Sequence, residues 1–371
     1  IMVNDTDGAS TGWSAYSEVI SVTNNNPVLQ NYGLSSSLVS RTNTITIGVN
    51  STDTENGESS HTVSVQYRAP TGGWSTSYLS TLWYDSSDSR WETNFTPVAS
   101  AVSGYYDLRI MVNDTDSGST DWSNYSDVIQ VVTNAPTITS YNVIDNDILR
   151  TESSRILVDV DDAEDSDHDM TLVAQHKSPS GSWLTSYFGT AWYNDTANLW
   201  ESNFTPTITA ELGDYDIRVK IIDSDSDSSE WSTHIENITV RNNNPVLSSY
   251  GLSSSSVLRT DTIVIGVNTT DTEDSESAHT VVVQYRVTGG WSTDYLSTVW
   301  YDSSDSRWET NFTPPTSAVL GDYDVRIMVN DTDGVSTGWL IYNDVLTVTN
   351  NNPVLSNYGL SSSSVLRTNT I

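Results

Sequence analysis

The chain has 371 residues, 48 acidic against 15 basic side chains, and no cysteine. A formal charge of −33 excludes a nucleic-acid binder that works by neutralising phosphates and disfavours docking on anionic lipid. The lack of cysteine removes disulfides, Cys-ligated zinc and thiol catalysis, and no apolar run is long enough to span a bilayer as a helix. Aspartate far outnumbers glutamate, and only two of the bases are lysines. That excess fits either halophily or a row of cation sites, and the spacing of the acids favours the second.

A long internal period organises everything else. Pro27, Pro136, Pro245 and Pro353 follow Asn-rich leaders at intervals of 109, 109 and 108 residues. Tryptophan keeps the same phase: Trp74, Trp83 and Trp91 return as Trp183, Trp192 and Trp200, then as Trp291, Trp300 and Trp308. Trp13, Trp122, Trp231 and Trp339 form a fourth series, and the segment DSSDSRWETNFTP occurs word for word at 85–97 and 302–314. Whole repeats therefore span 24–132, 133–241 and 242–349, with the tail of another copy at 1–23 and the head of a further one at 350–371. Cuts through two copies imply a window on a longer array. The outer two whole repeats resemble each other more than either resembles the middle one.

Within a repeat the predicted elements are all strands. After the polar leader, residues 44–49 alternate with period two, as do 62–67 and 106–112. One face carries Ile45, Ile47, Val49, Val63, Val65, Tyr67, Tyr106, Leu108, Ile110 and Val112, and the other carries Thr, Ser, Gln, Asp and Arg. That pattern suits a sheet with one solvated side. Turn signals at 70–73 and Gly104 separate the runs, and the third repeat is one residue short in the first of these turns, where a deletion is cheap. No amphipathic helix is visible. About seven short strands per repeat predict an antiparallel two-sheet sandwich.

The run 321–334 (GDYDVRIMVNDTDG) resembles the sixth strand and following loop of immunoglobulin-like, fibronectin-III-like and PKD-like surface domains, and Trp339 with 345–348 resembles their last strand. Nearly the whole chain is similar to the tandem Ig-like arrays of archaeal and bacterial S-layer, adhesin and extracellular filament proteins. The resemblance implies an all-β chain of Ig-like antiparallel β-sandwich domains in an extended array, at the cell surface. The paired cysteines of antibody-type domains are missing.

Two acidic clusters recur at fixed phase. One follows the second strand: Asp53 and Glu55, Asp162 and Glu164, Asp271 and Glu273. The other follows the sixth: Asp114 and Asp116, Asp223 and Asp225, Asp331 and Asp333, with Asp5 and Asp7 in the leading fragment. In an Ig-like sandwich these are the B–C and F–G loops, which share the end where the chain enters, so leaders such as 24–26 should lie beside them. Carboxylates converging there repel unless protonated or countered by cations, and no lysine stands near. Calcium, which takes six to eight oxygens in flexible geometry, is the natural counterion, and a cation at each junction would stiffen the array. The simpler alternative is that these are solvated turns, where Asp serves the backbone.

Sequons are frequent. Asn94, Asn203 and Asn311 recur in phase, and Asn4, Asn124, Asn194 and Asn237 are further candidates for glycans. Trp91 and its equivalents are expected in the core, whereas Trp74 and Trp83, in a polar segment, would cover a sheet edge or meet a neighbouring chain. The five histidines share no zinc or triad motif, and acid pairs present in every repeat read as architecture, so a non-enzymatic role is expected. Near-identity of units favours self-association into a filament, sheath or S-layer, or the spacer stalk of an adhesin, over accessory modules of a secreted hydrolase.

Overall fold

The computed structural model describes residues 1–18, 20–360, 363, 364 and 367. Of the expected last copy, 361, 362, 365, 366 and 368–371 lie outside that set. The first repeat has nine strands: β1 (Val28–Leu34), β2 (Leu38–Ser40), β3 (Ile45–Thr52), β4 (Thr62–Arg68), β5 (Trp74–Ser75), β6 (Trp83–Asp85), β7 (Arg90–Phe95), β8 (Gly104–Asn113) and β9 (Ser123–Val132). They form two sheets, β1-β3-β7-β6 and β2-β9-β8-β4-β5. All pairings are antiparallel except that β2 runs parallel to β9.

The second repeat reproduces all of these but β5, with β10 (Thr137–Val143), β11 (Asp147–Leu149), β12 (Ser154–Asp161), β13 (Thr171–Lys177), β14 (Trp192–Asn194), β15 (Leu199–Phe204), β16 (Gly213–Ile222) and β17 (Ser232–Arg241). The third follows with β18 (Val246–Leu252), β19 (Ser256–Leu258), β20 (Ile263–Thr270), β21 (Thr280–Arg286), β22 (Trp300–Asp302), β23 (Arg307–Phe312), β24 (Gly321–Asn330) and β25 (Leu340–Thr349). Their sheets are β10-β12-β15-β14 with β11-β17-β16-β13, and β18-β20-β23-β22 with β19-β25-β24-β21.

The alternation read from the sequence is the core. Every residue of the predicted apolar face in the first repeat is buried, from Val63 at 7% exposed to Ile47, Val49 and Leu108 at 0%. The tyrosine at the head of each long strand is fully buried and anchors its hydroxyl on the backbone four residues upstream: Tyr106 on Val102 O (2.8 Å), Tyr215 on Glu211 O (2.9 Å) and Tyr323 on Val319 O (2.8 Å). This is the tyrosine corner of Ig-like sandwiches. Together with the two four- to five-stranded sheets it makes each repeat an Ig-like β-sandwich, without the disulfide that many such domains use.

Trp200 is a core residue, and Trp91 and Trp308 pack half-buried against theirs. Their indole nitrogens do more than fill space. Trp91 Nε1 donates to Glu58 O (2.9 Å), Trp200 Nε1 to Asp167 O (2.8 Å) and Trp308 Nε1 to Glu276 O (2.9 Å), pinning the short 3-10 turn of the B–C loop to the core. Trp74 lies on β5, the edge strand of its sheet, where a covering role was expected, and it also braces the face beside it. With Trp122 it clamps the guanidinium of Arg109 at 4.7 and 4.3 Å on the outer side of β4, β8 and β9. Arg218 between Trp183 and Trp231, and Arg326 between Trp291 and Trp339, repeat the arrangement. Each cation–π contact contributes about 0.5–1 kcal/mol, so the solvated face is braced by stacking. Trp83, Trp192 and Trp300 remain exposed on the last strand of the opposite sheet.

Candidate functional site at the joints between repeats

The loops after β3 and β8 lie side by side, and a hydroxyl ties them in each repeat. Thr115 Oγ1 donates to Asn56 Oδ1 (2.6 Å), Ser224 Oγ to Asp165 Oδ1 (2.6 Å), and Thr332 Oγ1 to Asp274 (2.8 Å). The first aspartate of each loop holds its own turn. Asp53 Oδ1 accepts from the amides of Glu55 and Asn56, Asp162 Oδ1 from Glu164 and Asp165, and Asp271 Oδ1 from Glu273 and Asp274. Asp114, Asp223 and Asp331 each accept through Oδ1 from the amide four residues on, as the exposed Asp5 does from Ala9. Backbone service, the simpler reading of these acids, therefore accounts for one oxygen of each.

The leader enters between the loops as expected, and its central asparagine is the pivot. Asn25 Nδ2 donates to Glu55 Oε1 at 2.6 Å. Asn134 reaches Glu164 through both its backbone N (2.9 Å) and its Nδ2 (3.0 Å), and Asn243 reaches Glu273 in the same way at 3.0 and 2.8 Å. The same amide groups also bond the preceding repeat: Asn134 Nδ2 to Arg41 O (3.0 Å), Asn243 Nδ2 to Arg150 O (3.1 Å) and Asn351 Nδ2 to Arg259 O (3.1 Å).

Those arginines supply what the sequence reading found missing. Counter-charge was sought among lysines, but it comes from an arginine one residue past the second short strand of the preceding repeat. Arg41 Nη1 meets Asp225 Oδ2 at 2.5 Å, and Arg150 Nη1 meets Asp333 Oδ2 at 2.6 Å while its Nε bonds Ala210 O (2.8 Å). Arg259 Nε makes the equivalent bond to Ala318 O at 2.9 Å. The residue after each arginine is a β-branched threonine in the left-handed region, Thr42 (φ 63°), Thr151 (φ 67°) and Thr260 (φ 71°). That conformation is costly for such a side chain. It recurs at the one place where two repeats lock. The signal was in the sequence, since Arg41, Arg150, Arg259 and Arg367 return at 109, 109 and 108 residues.

Burial acts on the acids unevenly. The turn amide of Glu55 holds Asp53 below its ordinary value. Burial pushes Glu164 and Glu273 up, and the nearby charges of Asp162 and Asp271 add to it. Asp223 is also pushed up, first by burial and then by Asp227, Asp162 and Asp165. Among the described residues, groups of three acids with oxygens mutually within 4.8 Å occur elsewhere, at Asp85, Asp88 and Glu92 and at Asp302, Asp305 and Glu309. There an arginine already bridges them: Arg90 to Asp88 (3.2 Å) and Glu92 (2.6 Å), Arg307 to Asp305 (3.5 Å) and Glu309 (2.5 Å).

Four of the five histidines are held by packing or buried hydrogen bonds. His61 Nδ1 bonds Ser51 Oγ (2.8 Å) and His279 Nδ1 bonds Thr269 Oγ1 (2.6 Å), with all four residues at most 2% exposed and so closed to any substrate. His176 stacks on Tyr187 (4.3 Å) and His234 on Tyr141 (3.6 Å). His168 sits on the surface beside Asp169 at 3.5 Å.

The sequon asparagines differ in freedom. Asn4 and Asn124 are exposed, and Asn94, Asn203 and Asn311 are half-exposed. Asn194 uses its Nδ2 on Glu201 Oε1 (2.7 Å), and Asn237 accepts the Tyr141 hydroxyl (2.6 Å).

No family model matches the chain, and no curated protein matches it in sequence. Among solved structures, FdeC, an adhesin of Escherichia coli, is similar at 12% identity and a TM-score of 0.28, covering 87% of this chain and 98% of that one. The ectodomain of mouse nectin-like molecule 4 is similar at 11% identity and 0.26, over 86% and 98%. The fibronectin(III)-like modules of Clostridium thermocellum CbhA are similar at 14% and 0.21, over 57% and 94%. The fold assignment itself rests on the paired sheets and the tyrosine corners: the chain is a tandem array of Ig-like sandwiches.

Proposed function

We propose that the chain is a non-enzymatic structural element of a cell-surface filament, sheath or S-layer, in which Ig-like repeats act as rigid links. One observation supports this above the others: the joint recurs. The same asparagine, arginine and aspartate lock the first repeat to the second and the second to the third, through Asn134, Arg41 and Asp225 and then Asn243, Arg150 and Asp333. A flexible linker would need none of these bonds, whereas a rod that bears load along its axis needs them at every step. Among the described residues no helix is long and apolar enough to cross a membrane.

In this reading calcium adds to the arginines as counter-charge for the acidic loops, and glycans on Asn94, Asn203 and Asn311 limit uncontrolled edge pairing. Electron micrographs of the native material test the reading. Filaments or ordered sheets with an axial repeat of one or more sandwiches are expected, and lone rods without lateral order would favour the adhesin stalk instead. Peptide mapping after glycosidase treatment tests the sequons, with mass added at Asn94, Asn203 and Asn311 as the expected result.

A further inference from the structure

We infer that the joint in front of the second repeat holds a divalent cation, calcium by its ligand chemistry, at Asp162, Asp165 and Asp223. The inference rests on the reading of the joints as acidic locks and narrows it to one of them. It starts from carboxylate oxygens that are sealed from solvent and accept no hydrogen bond. The first repeat has one at its joint, Asp53 Oδ2, and the third has two, Asp271 Oδ2 and Glu273 Oε2. The second has three, from three different side chains: Asp162 Oδ2, Asp165 Oδ2 and Asp223 Oδ2. Asp223 is only 7% exposed, and a buried carboxylate oxygen without a partner is expensive.

Local substitutions explain why the second repeat stands apart. Asp114 and Asp331 are as buried as Asp223, but Asn24 Nδ2 (2.7 Å) and Asn242 Nδ2 (2.6 Å) satisfy their Oδ2 atoms. The second repeat has Thr133 at that position, and its hydroxyl donates to Asp227 instead. Asp165 replaces the neutral Asn56 of the first repeat. In the third repeat both oxygens of Asp274 are taken by Thr332, whereas Ser224 occupies only Oδ1 of Asp165. Asp227 brings a fourth carboxylate where the other repeats have Gly118 and Val335. The one cation at this joint among the described residues, Arg41, bonds Asp225 through Nη1, and its Nε has no partner.

An all-oxygen set of this charge from two tied loops suits calcium, which tolerates irregular coordination and completes its shell with carbonyls and water. Magnesium demands a near-ideal octahedron and is disfavoured. These three acids do not form a group with oxygens mutually within 4.8 Å, so sharing one ion requires the two loops to approach each other.

Calorimetric titration of the metal-stripped full chain with calcium chloride tests the inference. A tightest class of one site per chain is expected. Asp223→Asn should weaken that class by at least about tenfold, Asp165→Asn should weaken it as well, and Asp331→Asn should leave it in place. Circular dichroism of each variant confirms that the sandwiches remain folded. The inference is overturned if calcium does not saturate any site by about 5 mM, the weak end for extracellular modules. It is equally overturned if Asp223→Asn binds as the parent does, or if Asp331→Asn abolishes the same class. None of these results depends on whether the native material forms filaments, so this site and the assembly can fail separately.

Discussion

The second repeat and its two neighbours share eight strands in the same order, with only the short β5 of the first repeat in addition, yet they solve several local problems with opposite chemistry. Beneath the B–C loop, the outer repeats bury a polar pair, Ser51 with His61 and Thr269 with His279. The second repeat has Val160 and Met170 at those positions, both at most 5% exposed. In the aromatic end of the core the outer repeats stack Tyr67 on Tyr78 and Tyr285 on Tyr295, whereas the second stacks His176 on Tyr187. The Ig-like frame therefore tolerates exchange of whole interacting sets. It does not follow that it tolerates exchange of one member, because a polar group left alone in the interior loses its partner as well as its water.

The largest expected effect lies at the joints. Arg150 is buried and divides its donors among Ala210 O, Asn242 and Asp333, whereas Arg41 bonds Asp225 and Ser103 and leaves its Nε without a partner. Removing one member of a largely buried pair strands the other. Arg150→Ala should cost about 3 kcal/mol and Arg41→Ala about 2 kcal/mol, discounted because both aspartates are about one-third exposed. Calorimetric melting should show a single transition splitting as the repeats uncouple, more so for Arg150→Ala.

Next comes the buried pair. Ser51→Val alone should destabilise the first repeat by about 1–3 kcal/mol, because it takes the partner from His61 Nδ1. Ser51→Val with His61→Met reproduces the second repeat's solution and should return the stability to within about 1 kcal/mol of the parent. Urea titrations of both variants measure the coupling as a double-mutant cycle.

The aromatic exchange predicts a pH effect confined to the second repeat. Burial pushes His176 down to about 4, from an ordinary value of 6.5. The unfolded chain then binds a proton that the folded one refuses, so stability is full above pH 6.5 and falls as the pH drops towards 4. The loss should reach about 3 kcal/mol by pH 4. His176→Tyr, the residue type at 67 and 285, should flatten this part of the profile in melting curves taken from pH 7 to pH 4. The smallest expected effect is at the strained threonines: Thr151→Gly should gain about 0.5–1 kcal/mol by relieving the left-handed conformation.

Much of this could be read before any coordinates. The period came from Pro27, Pro136 and Pro245, the core face from the alternation of 44–49 and 106–112, and the position of the acids in the loops after the second and sixth strands from the fold class. The edge position of Trp74 was legible, but its stacking on Arg68 and Arg109 was not, because that requires knowing which side chains share the outer face. Arg41 and Arg150 were missed because their partners lie 184 and 183 residues away, in the next repeat.

The sequence by itself determined the repeating unit and its all-β character. These depend on short-range alternation and on a repeated length, both of which survive without coordinates. Only the tertiary structure decided which charges meet, because partners across a joint stand in different repeats, 184 and 183 residues apart. A carboxylate oxygen such as Asp223 Oδ2 becomes exceptional only when packing takes its water away and Thr133 turns to Asp227.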